Sequence, residues 1–157
     1  MRKKSMLKDE CYDIWWLISQ VDHSLLELRN RELKKYNITA WQASVLFLVK
    51  LFGKEATPTN LSHLMMRKLN TISETLNRME TQGLVKRIRD LKHRGMIRIA
   101  LTEKGMEAYN YTAKRTSLNK VTGFLEEEEC KVLISYLKIM RENAFIELGV
   151  NRTISFP

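Results

Sequence analysis

The chain has 157 residues, enough for one compact domain or for a small domain carrying extra helices that join two copies. A hydrophobic share of 44% excludes wholesale disorder, and its two cysteines, Cys11 and Cys130, lie far apart without metal-ligand spacing, which excludes a disulfide framework or structural zinc site. Lys and Arg total 27 against 18 Asp and Glu; the net charge of +9 favours a polyanionic partner, either nucleic acid or an anionic membrane surface.

The basic start, Met1 to Lys4, is followed by apolar positions interrupted by Lys8, Asp9, Glu10 and Asp13, so it does not read as a signal-peptide core. No apolar run approaches a membrane-spanning length, and the expected location is the reducing cytoplasm. From Leu7 to Tyr36 the apolar residues Leu7, Cys11, Ile14, Trp15, Ile18, Val21, Leu25, Leu28 and Leu33 recur at helical spacing and predict one long amphipathic helix. Asn37-Ile38 ends it. Thr39 and Gln42 then form a capping box that opens a second helix, apolar nearly all round from Ala43 to Phe52 and therefore expected to be central and buried.

Thr57 and Pro58 begin a short third helix, with Thr57 as cap and Pro58 at the favoured first position; Leu61, Leu64 and Met65 point inward. A turn near Arg67-Lys68 leads to a fourth helix with an inward stripe of Leu69, Ile72, Leu76 and Met79, ending at Gly83. Thr71 and Glu74 offer a second possible capping box, which leaves this helix's start open by a turn. The period then becomes strand-like between Leu84 and Leu101 around a charged turn, Asp90 to Gly95, which predicts a β-hairpin. Thr102 caps a fifth helix running to about Asn119. A sixth spans Glu126 to Glu147, its acidic start suited to a helix N-terminus.

Helix, short helix, turn, helix and hairpin make a winged helix-turn-helix. The buried stripe of the fourth helix turns Asn70, Ser73, Glu74, Asn77 and Arg78 to solvent, with Thr71 at the border; most are short polar side chains suited to base edges in a major groove. Thr57 and Thr59, at the start of the third helix, join this candidate DNA-contact set. The hairpin carries Lys86, Arg87, Arg89, Lys92, Arg94 and Arg98 against the single acid Asp90, a strip suited to neutralising phosphates and to entering an adjacent minor groove at its tip. Lys92, His93 and Arg94 are the candidate contacts there. The fold class is mainly α with a small β-hairpin wing.

The sequence resembles the MarR family of bacterial and archaeal transcriptional regulators. The resemblance rests on Asn37-Ile38-Thr39 before the second helix, Asn77-Arg78-Met79-Glu80 followed by Gly83-Leu84-Val85-Lys86-Arg87, Arg94-Gly95 in the hairpin, and Leu101-Thr102-Glu103-Lys104-Gly105 closing it. Their order and separations match over nearly the whole chain. The resemblance implies a homodimer built on interdigitated first and last helices, hence an N-terminal dimerisation helix at 1–36, a DNA-binding lobe at 37–105 and C-terminal dimerisation helices at 106–157. It also implies an inverted-repeat operator, a repressor's role, and release of DNA by a small aromatic or phenolic ligand or an oxidant. Trp16 and Trp41 are the candidate effector contacts, because the first and second helices border the family's usual pocket.

The sequence departs from the family at Lys92, where an acidic residue is common, so any ion pair fixing Arg94 needs another partner such as Asp90. Glu74 stands where an Arg is common; a carboxylate repels phosphate but accepts from cytosine N4. One branch senses peroxides through a first-helix cysteine, but Cys11 lies about one turn earlier and sits on the apolar stripe, so packing is expected of it. Cys130 is expected in the core or an interface. The alternative to a DNA regulator is a winged-helix module for RNA or a protein partner. No nucleophile elbow, Walker loop or HExxH motif points to catalysis, and no cofactor or metal is expected.

Overall fold

The computed structural model describes residues 10–90 and 96–150. They form α1 (Glu10–Leu33), α2 (Ala40–Phe52), α3 (Pro58–Leu64), α4 (Leu69–Thr81), strands β1 (Val85–Asp90) and β2 (Met96–Leu101), then α5 (Glu103–Thr112), α6 (Thr116–Thr122) and α7 (Glu127–Glu147). Leu7, the start of the expected first helix, lies outside the described residues.

The local signals act where the sequence places them. After α1 the chain tightens into a 3-10 turn, and Asn37 takes a left-handed backbone at φ 56°, its N–H returning to the Lys34 carbonyl at 3.0 Å. The Thr39 box is complete: Gln42 N donates to Thr39 Oγ1 at 3.2 Å, and Thr39 N donates to Gln42 Oε1 at 3.0 Å. Buried Gln42 also donates to Gln82 Oε1 at 2.8 Å, tying the start of α2 to the end of α4. The core gathers around α2: Leu33, Val45, Leu46, Leu61, Ile72, Leu76, Met79 and Ile99 are essentially solvent-free. The strands pair antiparallel, Val85 opposite Leu101 through Asp90 opposite Met96. Ile99 N donates to Ala56 O at 2.7 Å, which anchors the hairpin to the segment before α3. Gly105 lies so close to the strand that an added Cβ would meet the Leu84 carbonyl oxygen at 1.8 Å.

Two expectations are corrected. The fifth helix does not run from Thr102 to Asn119; it breaks after Thr112, and Arg115 adopts a left-handed backbone at φ 49° before α6 begins. Side chains from α1 stabilise both loose ends. Arg29 Nη2 donates to the Thr112 carbonyl, while Glu32 accepts from Thr116 N at 2.9 Å, Ser117 N at 3.3 Å and the Ser117 hydroxyl. Secondly, the Thr71–Glu74 box does not form. Helix α4 already begins at Leu69, and Leu69 itself is 45% exposed because it stands on the opening turn, before the helix meets the core at Ile72. The apolar stripe of α1, expected to pack in a dimer, is not covered within the protomer. Tyr12, Ile14, Trp15, Trp16, Leu17, Ile18 and Val21 are exposed, and so is Cys11; along α7 only Phe145 is buried.

Candidate nucleic-acid interface

The α3–α4 unit is held by its turn. Met66 takes φ 52°, and the N–H groups of Met66 and Arg67 return to the carbonyls of His63 and Ser62 at 3.2 and 3.0 Å. This aims α4 outward on the buried pegs Ile72, Leu76 and Met79. Asn70, Thr71, Glu74, Asn77 and Arg78 are exposed and Ser73 is half-buried, so the expected polar face exists. Glu74 and Arg78 face each other at 3.8 Å, both well exposed, an ion pair worth only a few tenths of a kcal/mol.

Asn77 is tied to the wing. Arg87 Nη2, on β1, donates to Asn77 Oδ1 at 2.8 Å; Arg87 N donates to Glu80 Oε1 at 3.1 Å, and its guanidinium pairs with the Glu80 carboxylate. Arg87, expected to meet phosphate, thus braces the recognition helix against the hairpin, and Asn77 presents chiefly its amide NH2. The signal was the Glu80 to Arg87 spacing across a turn, which shows no contact until the hairpin's path is known.

Thr57 is buried, its hydroxyl accepting from Asn60 N at 3.1 Å as the α3 cap, whereas Thr59 is exposed. Lys86 and Arg89 are exposed on β1; Arg98 is partly buried, with its Nε among protein atoms and no hydrogen-bond partner among the described residues. Lys92, His93 and Arg94, with the suggested Asp90–Arg94 pair, lie outside the described residues.

The candidate effector contacts separate. Trp41 lines a cavity of about 370 Å³ between α1, α2 and α5, together with Arg29, Phe47, Tyr109 and Arg115. The Arg115 guanidinium lies 5.1 Å from the centre of the Phe47 ring. Trp16 does not reach this space; it is half exposed and belongs to an aromatic run in which Tyr12 and Trp15 lie 5.4 Å apart and Trp15 and Trp16 6.0 Å. Trp41 fronts a second hollow as well, under the guanidinium of Arg67 at 4.3 Å. Beside the first cavity, burial alone would raise the Glu32 carboxyl, but hydrogen bonds from Ser117 and Arg29, with Arg29's charge, hold it at about 2. Among the described residues no group of three His, Cys, Asp or Glu is placed to hold a metal ion, and no helix is long and apolar enough to cross a membrane.

No sequence-family model and no curated protein matches the chain. Solved structures do. The transcriptional regulator SlyA superposes with a TM-score of 0.76 at 26% identity, covering 86% of this chain and 96% of its own. A cysteine-to-serine mutant of MarR from E. coli, complexed with operator DNA, gives 0.75 at 24%, covering 87% and 99%. The organohalide-sensing regulator RdhR, bound to 2,4-dichlorophenol, gives 0.77 at 24%, covering 93% and 90%. These likenesses span most of the chain, which has the fold of these winged helix regulators, MarR among them.

Proposed function

We propose that this protein is a sequence-specific transcriptional regulator that binds duplex DNA as a homodimer in the cytoplasm, acting as a repressor at an inverted repeat. The observation that carries this reading is the short polar face of α4, raised on three buried pegs and braced through Arg87 to a basic hairpin. Asn70, Thr71, Ser73, Glu74, Asn77 and Arg78 read bases or border them. Thr59, Lys92, His93 and Arg94 hold the backbone. Thr57 leaves this set because its side chain is buried in its cap. The DNA-bound MarR neighbour supports the reading. The uncovered apolar faces of α1 and α7 supply the material for a dimer, in which Cys11 and Trp16 pack.

The same reading includes an effector. The cavity beside Trp41 has a volume within the range of small-molecule sites, aromatic walls at Phe47 and Tyr109, and cations at Arg29 and Arg115. Asp22 lines the cavity too, and Arg29 is already engaged by Glu32 and the Thr112 carbonyl, so the aromatic walls carry the assignment to a small aromatic compound; RdhR holds a chlorophenol. Selection of bound fragments from genomic DNA, followed by fluorescence anisotropy against random duplex and competitor RNA, tests the proposal. A saturable preference for one palindromic duplex is expected; preference for RNA, or equal affinity for all duplexes, refutes it.

A further inference from the structure

The wing is not the only basic element beside the recognition helix. A groove of about 1130 Å³ runs between α4, the α3–α4 turn, the end of α1 and the start of α2. Five cations line it: Arg31 and Lys34 from α1, Arg67 and Lys68 from the turn, and Arg78 from α4. No Asp or Glu is among its described lining residues. Arg31, Lys34, Arg67 and Lys68 are all exposed, and the Arg67 guanidinium lies over the Trp41 ring at 4.3 Å from its centre, a contact that restrains the side chain.

The groove lies on the flank of α4 away from the wing. Thr75 lines it, whereas Asn77 is bonded to Arg87 on β1; they stand two positions apart, about 200° around the helix. A helix about 10–12 Å across fills a major groove about 12 Å wide, and that groove is bordered by two phosphate backbones. A recognition helix with cations on one flank can neutralise only one of them. This helix has cations on both.

We propose that the groove is a second phosphate-binding track, seating the DNA backbone on the side of α4 opposite the wing, with Arg31 and Lys34 extending the contact onto α1. The proposal rests on the DNA-binding reading. It makes the end of the long first helix part of the interface, so the orientation of the winged lobe against α1 bears on affinity. The occupant is backbone phosphate because five cations and no carboxylate line the groove, and the polar side chains between them, among them Asn30, Asn37 and Thr75, can donate hydrogen bonds to phosphate oxygens as well.

The test is the salt dependence of binding, measured by anisotropy on the selected duplex and a random duplex over a series of KCl concentrations. The variants are the full-length double substitution Arg31→Gln with Lys34→Gln, and separately Arg67→Lys. Each lost phosphate contact should reduce the slope of log affinity against log salt by about 0.9, and lower affinity roughly tenfold near 0.1 M salt, alike on both duplexes. Arg67→Lys keeps the charge and loses the guanidinium's contact with Trp41, so it should weaken binding with little change in slope. An unchanged slope in the double variant, with the wild type binding normally, overturns the proposal. In the double variant, lowered affinity at the wild-type slope overturns it as well, because losing two charges without a change in slope means that they met no phosphate. Failure of the wild type to bind any duplex defeats the underlying reading instead. If the double variant keeps its slope but loses a thermal shift produced by salicylate in the wild type, the groove belongs to a small anion and the track is refuted.

Discussion

Replacing Glu32 with Gln removes one negative charge from the junction that joins the long first helix to the broken α5–α6 segment. The carboxylate accepts from Thr116 N at 2.9 Å, from Ser117 N at 3.3 Å, from the Ser117 hydroxyl, and from Arg29 Nη1 at 2.7 Å. Gln keeps one acceptor oxygen but leaves the buried Arg29 guanidinium without its counter-charge. The wild-type carboxyl sits at about 2 against an ordinary 4.5, because hydrogen bonds from Ser117 and Arg29 and the Arg29 charge outweigh the desolvation that opposes them. A folded-state value below the unfolded one means stability that is full above about pH 4.5 and is lost as pH falls towards 2. The shift corresponds to at most about 3 kcal/mol. Residual solvent access to the carboxylate reduces this to about 2 kcal/mol. Urea denaturation at fixed protomer concentration, which holds any dimer contribution constant, measures it. Glu32→Gln should be less stable than wild type by about 2 kcal/mol at pH 7, a fall in Tm of about 4–8 °C. That gap should hold to pH 5, narrow by pH 3 and nearly close at pH 2. A gap that stays constant from pH 7 to pH 2 would refute the linkage and leave only a shape effect.

Arg87→Ala should loosen the hairpin against α4 and lower affinity for the selected duplex more than for random DNA, because it frees Asn77 from its fixed orientation. Equal losses on both duplexes, read by anisotropy, would make Arg87 a simple phosphate contact. Asn77→Ala should reduce discrimination between the two duplexes, whereas Arg94→Ala should weaken both alike; matching patterns for the two variants would contradict this division of roles. Gly105→Ala drives a methyl group into the Leu84 carbonyl, and a destabilisation of about 2–4 kcal/mol is expected in urea melts. A change under about 0.5 kcal/mol would show that the α5 start can move away from the strand.

Much of the lobe was legible because its signals are local. The capping box at Thr39, the cap at Thr57 with Pro58 behind it, and the Ile72, Leu76 and Met79 stripe each act within one or two turns, and each stands where periodicity and turn chemistry put it. The resemblance in Asn77 to Arg87 pointed to the same lobe, but the role of those residues was not visible in it. Arg87 carries the same charge in sequence whether it meets phosphate or Glu80, and only the hairpin's path beside α4 selects the carboxylate. Leu69 shows the limit of periodicity: it has the angular position of a core residue but stands before the helix meets the core, and is exposed.

What the sequence determined by itself was the element order through the hairpin, the buried stripes of α2 and α4 and an excess of positive charge, since these follow from spacing and composition. Tertiary structure decided the rest. The break after Thr112 contains no Pro or Gly; Arg29 and Glu32 make it possible from more than eighty residues away, by bonding groups that a continuous helix would have bonded internally. The cationic groove likewise joins Arg31 and Lys34 to Arg67, Lys68 and Arg78, residues dispersed along the chain and unremarkable within it. Charges act through distance in space, and only the folded chain sets those distances.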